Sequence, residues 1–213
     1  MPLYPLTYDR ISVPNYLIIF TRYPEPGKAK TRLIPALGEA GAAALHRQMA
    51  EDTVAQAQRL QKDQSTLSLE VHFAGGDLAQ MRHWLGEQGQ YRSQGSGSLG
   101  DRLIQAFQGA FQQQATAVVV IGTDCPSLQA DLLSLAFERL TTADLVLGEA
   151  SDGGYYLIGL RQPTPELFQT ISWSTDVVFQ QTLAIARKLN LTTALLPVLD
   201  DIDRPEDLTT LKR

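Results

Sequence analysis

Several features that mark other protein classes are scarce or absent in this sequence. It has one cysteine, Cys125, so it can form no disulfide within the chain, and with three histidines it lacks the usual structural zinc sets. Lys and Arg number 18 against 23 Asp and Glu, and the net charge of −5 argues against a general nucleic-acid binder. No apolar run approaches the roughly 18 residues of a membrane span. We expect the cysteine to be packed and the histidines to be structural or surface residues.

The composition that remains, 44% hydrophobic and 19% charged, is that of a globular protein. A length of 213 residues suits one domain with a substantial core. We expect residues 1–14 to form an N-terminal extension and residues 15–213 to form a single domain. The N-terminus lacks the basic start, apolar segment and cleavage site of a secretory signal. Together with the lone cysteine this favours a reducing compartment, and we expect a cytoplasmic protein.

Strand and helix patterns alternate along the chain. Apolar runs such as Tyr16–Phe20 and Ala117–Ile121 predict buried strands. The Ala-rich stretch Glu39–Leu60 and the amphipathic stretch Leu99–Phe111 predict helices. Strands that are apolar on both faces and separated by helices indicate a mainly parallel sheet covered on both sides. Ligands of such sheets bind beyond the carboxyl ends of the strands. The segments that follow the strands are therefore the candidates for function.

A basic loop follows the first predicted strand. Arg22, Lys28, Lys30 and Arg32 place four cations within eleven residues, among prolines and a glycine that shape the loop. Its cations and backbone N–H groups can bind a phosphate, which predicts a nucleotide-binding role, with a solvated basic turn as the alternative. The loop is not a P-loop, because GxxxxGK[ST] is absent.

A glycine-rich segment, Ser93–Leu103, leads into the predicted helix that starts at Leu99. Gly97 and Gly100 allow a ligand to approach the backbone, and the start of a helix favours an anion. We take these glycines and Asp101 as further candidates for nucleotide binding. A flexible loop is the alternative, and Asp101 would stabilise the first turn of the helix in either case.

Carboxylates follow two other strands. Asp124 comes directly after the central apolar run, where it could bind Mg²⁺ together with phosphate oxygens or simply serve as a turn residue. Asp200, Asp201 and Asp203 crowd three carboxylates into four positions, and their repulsion needs compensation by water, basic groups or a metal. A predicted terminal helix, Pro205–Leu211, would use Asp203 near its cap. Asp124, Asp201 and Asp203 are the candidate ligands of a divalent metal, Mg²⁺ or Mn²⁺.

The last candidate segment begins at Asp152. Gly153 and Gly154 follow it and turn the chain so that Tyr155 stands at the opening of a strand. We predict that the two glycines and Tyr155 line the acceptor side of a cleft, with a plain Asp-Gly hairpin turn as the alternative. Trp173 could line the same cleft or pack in the core.

Six motifs in this order resemble one known family. They are PGKAKTRL (Pro26–Leu33), SLGDRL (Ser98–Leu103), IGTDCPSL (Ile121–Leu128), DGGYYLIGL (Asp152–Leu160), WSTD (Trp173–Asp176) and DIDRPEDL (Asp201–Leu208). The sequence resembles the glycosyltransferase-A-like family, the arsenosugar-biosynthesis-type glycosyltransferases, of the nucleotide-diphospho-sugar transferase superfamily.

The resemblance implies a Rossmann-like three-layer α/β/α sandwich with a mixed, mainly parallel central sheet. It also implies that Lys30 and Arg32 face the nucleotide phosphates and that Asp124 and Asp203 stand at metal-binding positions. By the same resemblance Asp152 belongs to the acceptor region. IGTDCPSL contains no DxD pair, the two-carboxylate motif that many sugar transferases use.

The expected function is transfer of a sugar from a nucleotide-sugar donor to a small-molecule acceptor, assisted by a metal, with Asp152 as the general base. The alternative is nucleotidyl transfer from an NTP to a phosphorylated or acidic small molecule, with release of pyrophosphate. A nucleotide-binding accessory protein is the third possibility. The expected partners are a nucleotide sugar or NTP and a small acceptor, without nucleic acid or a membrane span. The sequence does not indicate an oligomeric state.

Overall fold

A computed structural model describes residues 14–212, so residues 1–13 of the predicted N-terminal extension lie outside the described residues. The described strands form one sheet: β1 (Asn15–Arg22), β2 (Leu67–Ala74), β3 (Gln90–Ser93), β4 (Val118–Ile121), β5 (Leu145–Ala150), β6 (Tyr155–Leu160) and β7 (Thr193–Leu199). The described α-helices are α1 (Ile34–Asp63), α2 (Leu78–Leu85), α3 (Leu99–Gln112), α4 (Ala130–Arg139) and α5 (Val178–Lys188). Short 3₁₀ helices cover Thr31–Leu33, Pro165–Phe168 and Pro205–Lys212.

The strand order in the sheet is β3-β2-β1-β4-β6-β5-β7. β1 lies parallel to β2 and β4, β2 to β3, and β5 to β7, whereas β6 is antiparallel to both of its neighbours. The sheet is therefore mixed and mainly parallel, as predicted. β6 reverses direction because it forms a hairpin with β5 instead of following a crossover helix.

Two hydrophobic clusters cover the two faces of the sheet. On one face, residues of α1, α2 and α4 such as Leu60, Met81 and Leu133 pack against the sheet. On the other face, Phe107 of α3 and Phe179 of α5 do the same. Parallel strands buried on both faces need helices above and below, which explains why their sequences are continuously apolar. The predicted three-layer α/β/α architecture is confirmed.

The structure adds details that the sequence pattern did not predict. β3 is a four-residue edge strand, Gln90–Ser93, whose polar sequence carries no strand periodicity. α1 starts before the predicted Glu39 but breaks at Gly38, where the backbone is not helical (φ 70°, ψ 168°). The predicted terminal helix is a 3₁₀ helix, Pro205–Lys212. No helix within residues 14–212 combines the length and the apolarity that crossing a bilayer requires.

Because the parallel strands all run the same way, β1, β2, β4, β5 and β7 end at one edge of the sheet, which we call the carboxyl edge. The antiparallel β6 begins there. The basic loop, the Asp124 segment, the Asp152 turn and the Asp201–Asp203 segment all lie directly at these strand ends. The topology thus brings segments that are far apart in sequence to one place.

Candidate functional site

Two adjoining cavities, of about 760 Å³ and about 770 Å³, open at the carboxyl edge. The first, the basic cavity, is lined by five cationic side chains: Arg22, Lys28, Lys30, Arg32 and Arg102. The second, the acidic cavity, is lined by six carboxylates: Asp124, Asp152, Asp176, Asp201, Asp203 and Asp207. Both cavities share Arg32, Leu99, Asp124, Ser174 and Asp203. The cleft therefore has two halves of opposite charge with a common wall.

The basic loop is anchored in the protein by the buried side chain of Leu33. Leu33, at the end of the 3₁₀ helix Thr31–Leu33, is fully buried in a cluster with Met49 of α1 and Ile202. Lys30, just before this helix, has left-handed backbone angles (φ 48°, ψ 46°), which a non-glycine residue adopts only at a cost. Packing of Leu33 holds the loop in this conformation. The Lys30 side chain consequently turns inward, where it is only 5% exposed.

The ammonium group of Lys30 binds oxygens from two distant segments. Its Nζ donates to the carbonyl oxygen of Ile202 (2.6 Å) and lies 2.9 Å from Oδ1 of Asp124 and 3.5 Å from Oδ1 of Asp203. The guanidinium of Arg32 binds the other oxygen of Asp203. A backbone hydrogen bond from the N–H of Ile202 to the carbonyl of Asp124 (2.9 Å) joins the same two segments. Lys30, which lines the basic cavity, is thus the cation that joins the two carboxylates of the shared wall.

Gln94, which follows β3, holds Arg102 at the basic cavity. Its side-chain amide donates to the carbonyl oxygens of Thr21 (2.9 Å) and His72 (3.0 Å) at the ends of β1 and β2. Its Oε1 accepts a hydrogen bond from Nη1 of Arg102 (2.7 Å). The hydroxyl of Thr21, which lines the cavity, is buried and has no partner among the described residues. Gln94 therefore orients the guanidinium of Arg102, and the hydroxyl of Thr21 in the same cavity has no hydrogen-bond partner among the described residues.

His46 of α1 also lines the basic cavity and is 5% exposed. Its Nε2 lies 2.8 Å from the carbonyl oxygen of Arg22, and because a carbonyl only accepts, Nε2 carries the hydrogen. Burial lowers the pKa of His46, against the opposing effect of this hydrogen bond. The neutral ring leaves Nδ1 as a buried acceptor without a protein partner within residues 14–212.

The glycine-rich segment forms the start of α3. Ser98 and Asp101 make a capping box, in which each side chain accepts the backbone N–H of the other residue. The hydroxyl of Ser98 and its backbone N–H both hold the pKa of Asp101 below its usual value. A Cβ at Gly100 would lie 2.6 Å from the carbonyl oxygen of Phe168 and 3.0 Å from Nε1 of Trp173. Close packing of the chain against itself therefore requires this glycine.

The Asp152 turn connects β5 to β6 and is the hairpin turn that the sequence left as an alternative. Oδ1 of Asp152 accepts the backbone N–H of Gly154 (2.8 Å), which closes the turn. Gly153 has a φ of 85°, and a Cβ there would lie 2.1 Å from the carbonyl oxygen of Asp176. The turn is therefore pressed against the segment that precedes α5. Asp152 nevertheless lines the acidic cavity, so the two readings are compatible.

Two aromatic rings and a half-buried carboxylate complete the acidic cavity. Tyr155 and Trp173 meet edge to face, with 6.4 Å between the ring centroids, so Trp173 both packs and lines the cavity. The hydroxyl of Tyr155 is buried without a partner in the described part of the chain, and burial raises its pKa. Burial, and then the charge of Asp152, raise the pKa of Asp201.

Comparison with known proteins shows the family to which this chain belongs. Residues 53–175, more than half of the chain, match the family described as an uncharacterized protein conserved in bacteria (DUF2064). The chain belongs to this family. A crystal structure from Desulfovibrio desulfuricans G20, of a protein assigned as a nucleotide-diphospho-sugar transferase, is 35% identical. It superposes with a TM-score of 0.87 over 93% of this chain and 86% of that one.

More distant structures share the fold of this DUF2064 protein. The 4-diphosphocytidyl-2C-methyl-D-erythritol synthase from Anaerococcus prevotii is 11% identical, with a TM-score of 0.61 over 95% of this chain and 100% of that one. Glucosyl-3-phosphoglycerate synthase from Mycobacterium tuberculosis, solved with Mn²⁺, UDP and glucosyl-3-phosphoglycerate, is 12% identical, with a TM-score of 0.57 over 93% and 75%. These similarities show the fold alone. No protein of curated function matches the chain significantly in sequence.

The structure brings most of the predicted site residues of this DUF2064 protein together. Four of the predicted nucleotide-binding residues line the basic cavity: Arg22, Lys28, Lys30 and Arg32. Seven of the other predicted residues line the acidic cavity: Asp124, Asp152, Gly154, Tyr155, Trp173, Asp201 and Asp203. The residues that line neither cavity are Gly97, Gly100, Asp101 and Gly153. The roles assigned to all of them stay predictions.

The prediction that Asp203 caps the terminal helix is wrong. Asp207, in the first turn of the helix, instead accepts the backbone N–H groups of Asp203 (3.0 Å) and Arg204 (2.7 Å), which precede the helix. The side chain of Asp203 is thereby left to bind Lys30 and Arg32.

Among the residues of the basic cavity that sequence reasoning missed are Gln94, Arg102 and His46. Arg102 lies beside the predicted Asp101 in the first turn of α3, and its position directly after Gly100 and Asp101 was the available signal. Gln94 and His46 gave no signal, since their importance comes from partners 73 and 24 residues away, Thr21 and Arg22.

The arrangement of these side chains does not suit binding of a divalent metal ion to the protein in the absence of a nucleotide. Within residues 14–212 no group of three or more His, Cys, Asp or Glu side chains could hold an ion. The carboxylates of Asp124 and Asp203, predicted as metal ligands, have the ammonium of Lys30 between them. The carboxylate of Asp201 accepts a long hydrogen bond (3.5 Å) from the Ser151 hydroxyl. In this DUF2064 protein the shared wall is already neutralised by cationic side chains.

Proposed function

We propose that this protein transfers a sugar from a nucleotide-sugar donor to a small hydroxyl acceptor. The observation that carries the proposal is the pair of adjoining cavities of opposite charge that share the wall of Arg32, Asp124 and Asp203. A transferase needs two substrates side by side, and the carboxyl edge of a parallel sheet is where such folds bind them. We also propose that the protein is related to the arsenosugar-biosynthesis-type glycosyltransferases. Residues 15–213 would form a single domain.

The basic cavity would bind the donor. Five cationic side chains face two carboxylates there, which leaves an excess of positive charge for a diphosphate. Arg102 is already oriented by Gln94, so little side-chain entropy is lost when its guanidinium binds a phosphate. The same cations stabilise the charge that develops on the nucleoside diphosphate as it leaves.

The acidic cavity would bind the acceptor. Six carboxylates face two guanidinium groups, of Arg32 and Arg204, so the cavity repels anions and suits a neutral or cationic acceptor. In the reaction the acceptor hydroxyl oxygen bonds to the anomeric carbon, and the bond from that carbon to the diphosphate oxygen breaks with the electron pair going to the diphosphate. Asp152 would take the hydroxyl proton, because one of its oxygens is bound by Gly154 and the other is available.

The alternative is nucleotidyl transfer, in which an acceptor oxygen attacks the α-phosphorus of an NTP and pyrophosphate leaves. The five cations would suit a triphosphate, and the Anaerococcus prevotii synthase is a relative in fold whose name describes a cytidyl compound. The negative charge of the acidic cavity argues against the phosphorylated or acidic acceptor that this reaction would use. We therefore rank sugar transfer first.

A divalent metal stays a prediction. The Mycobacterium tuberculosis complex contains Mn²⁺ and UDP, but at 12% identity it bears on the fold alone. In this chain Asp124 and Asp203 could become ligands of Mg²⁺ or Mn²⁺ only after Lys30 has left them. The charge neutralisation described above relies on the side chains of the chain itself.

The test incubates the protein with nucleotide sugars and, separately, with NTPs, in the presence of neutral, cationic and phosphorylated small acceptors. Release of UDP or GDP with a neutral or cationic acceptor is the expected result. Release of pyrophosphate from an NTP would establish nucleotidyl transfer instead. Binding of a nucleotide without turnover would indicate a nucleotide-binding accessory protein.

Arg102→Gln supplies the matched variant for this test. It removes a charge-assisted contact worth about 1.5–3 kcal/mol, so the donor affinity should fall about 10- to 100-fold. Arg187→Gln, on the exposed last turn of α5, is the control and should leave the donor affinity unchanged. Equal affinities in the two variants would contradict the assignment of the donor to the basic cavity.

A further inference from the structure

We infer that the Lys30 ammonium takes the place of a divalent cation between Asp124 and Asp203, so that the ligand-free protein excludes Mg²⁺ and Mn²⁺ from these carboxylates. The inference concerns the free protein and does not depend on which group the site transfers.

The atoms around Nζ of Lys30 are of the kind that a metal ion would also bind. Oxygens of one carbonyl and two carboxylates lie 2.6–3.5 Å from it, and they come from the segments after β4 and after β7. A set of carboxylate and carbonyl oxygens is what a hard divalent cation also takes. An ammonium needs three acceptors and finds three here, so the arrangement is complete with lysine alone.

Lys30 is fixed in this position by the packing of its loop. A surface lysine samples many rotamers, but the Lys30 side chain is only 5% exposed. Leu33, three residues on, is fully buried, and it ties the loop to Ile202, the residue whose carbonyl Lys30 binds. An incoming ion would have to break this packed arrangement, and the energy required opposes its binding.

The charges around Lys30 balance without a metal ion. Two carboxylates, Asp124 and Asp203, face two cations, Lys30 and Arg32, and Arg32 occupies the second oxygen of Asp203. The group is neutral as it stands, whereas a divalent ion added beside Lys30 would repel the ammonium at close range. A metal can reach both carboxylates only when the ammonium has moved away, and the anion best placed to draw it away is a ligand in the basic cavity, which Lys30 also lines.

The test titrates the nucleotide-free protein with MnCl₂ and follows free Mn²⁺ by electron paramagnetic resonance. Lys30→Met keeps the length of the side chain and removes its charge. Lys28→Met is the matched control, because Lys28 lies in the same loop but is 65% exposed and pairs with Glu25. A further variant, Lys30→Met with Asp203→Asn, removes one of the two carboxylates. Circular dichroism checks that each variant folds, and Lys30→Gln replaces Lys30→Met if the latter does not.

We expect Lys30→Met to bind one Mn²⁺ per chain about tenfold more tightly than the wild type, or better. Lys28→Met should bind Mn²⁺ no better than the wild type, and Asp203→Asn should abolish the gain. Wild-type binding of Mn²⁺ that Asp124→Asn removes would overturn the inference. So would an unchanged Mn²⁺ affinity in the folded Lys30 variant. Because no nucleotide is present, failure of the proposed transferase function would not affect either result.

Discussion

A double-mutant cycle on Lys30 and Asp124 should give a coupling energy of about 1.5–3 kcal/mol. The cycle compares the wild type with Lys30→Met, Asp124→Asn and the double variant. The coupling should be large because the ammonium is nearly buried and depends on this carboxylate for its closest anionic partner. Removing either partner alone leaves the other charge poorly compensated, whereas removing both does not.

The structure sets the magnitude. At the 2.9 Å between Nζ and Oδ1, Coulomb's law gives about 1.4 kcal/mol with the dielectric constant of water and about 6 kcal/mol with an effective value of about 20. The Lys30 side chain is 5% exposed but that of Asp124 is 50% exposed, so the true value lies between these limits. The carbonyl of Ile202 and the more distant Asp203 still bind the ammonium in Asp124→Asn, which lowers the expected coupling further.

The chain offers a matched control in the pair of Lys28 and Glu25. The distance between their charged atoms is also 2.9 Å, but both side chains are exposed, at 65% and 44%. Solvent screening should reduce the coupling of this pair to about 0.2–0.5 kcal/mol. The two cycles therefore compare the coupling energies of a partly buried and an exposed ion pair whose charged atoms are the same distance apart.

Urea unfolding followed by circular dichroism measures each free energy of unfolding. Asp124→Asn should also lower the melting temperature, by roughly 3–12 °C for a loss of about 1.5–3 kcal/mol in a chain of this size. Equal coupling energies in the two cycles would refute the reasoning, because they would mean that Lys30 is not held in a buried position.

Three further predictions concern the turn, the histidine and the proposed base. Gly153→Ala should destabilise the protein by about 2–4 kcal/mol in urea unfolding, because it combines a positive φ with a Cβ 2.1 Å from a carbonyl oxygen. The control Gly109→Ala, in α3 with open space around the Cβ, should instead stabilise by about 0.5–1 kcal/mol; destabilisation in both would contradict the prediction. Burial lowers the pKa of His46 from 6.5, so the unfolded chain binds the proton more readily, and the contribution of His46 to stability should be lost as the pH falls below 6.5. His46→Gln should reduce the loss of stability between about pH 7.5 and about pH 5.5, whereas exposed His83→Gln should not, and equal losses in the two variants would count against it. Asp152→Asn keeps an oxygen for the Gly154 N–H and should lower kcat of sugar transfer by about 10²- to 10⁴-fold with the donor affinity unchanged; a retained kcat would exclude Asp152 as the base.

Much of the architecture could be predicted because burial leaves a mark on local sequence. The runs at Tyr16–Phe20 and Ala117–Ile121 became β1 and β4, the centre of a sheet buried on both faces. The short edge strand Gln90–Ser93 could not be predicted, since its residues are mostly exposed and carry no apolar alternation. The apolar pattern of β6 did not indicate its reversed direction, because a strand buried on both faces reads the same in either direction; only the alternative of an Asp-Gly hairpin turn at Asp152 pointed to it.

The sequence by itself determined which kinds of group reach the carboxyl edge, since each follows an apolar run that has to end there: cations after β1, one carboxylate after β4 and several after β7. Only the tertiary structure decided how they pair. Lys30 meets Asp203, 173 residues away, and the carbonyl of Ile202, because parallel strands bring their ends together whatever their separation in the chain. The pattern around Asp124 and Asp203 indicated a cation between two carboxylates, and the fold placed an ammonium of the chain itself there. That choice rests on burial and distance, which no local run of residues specifies.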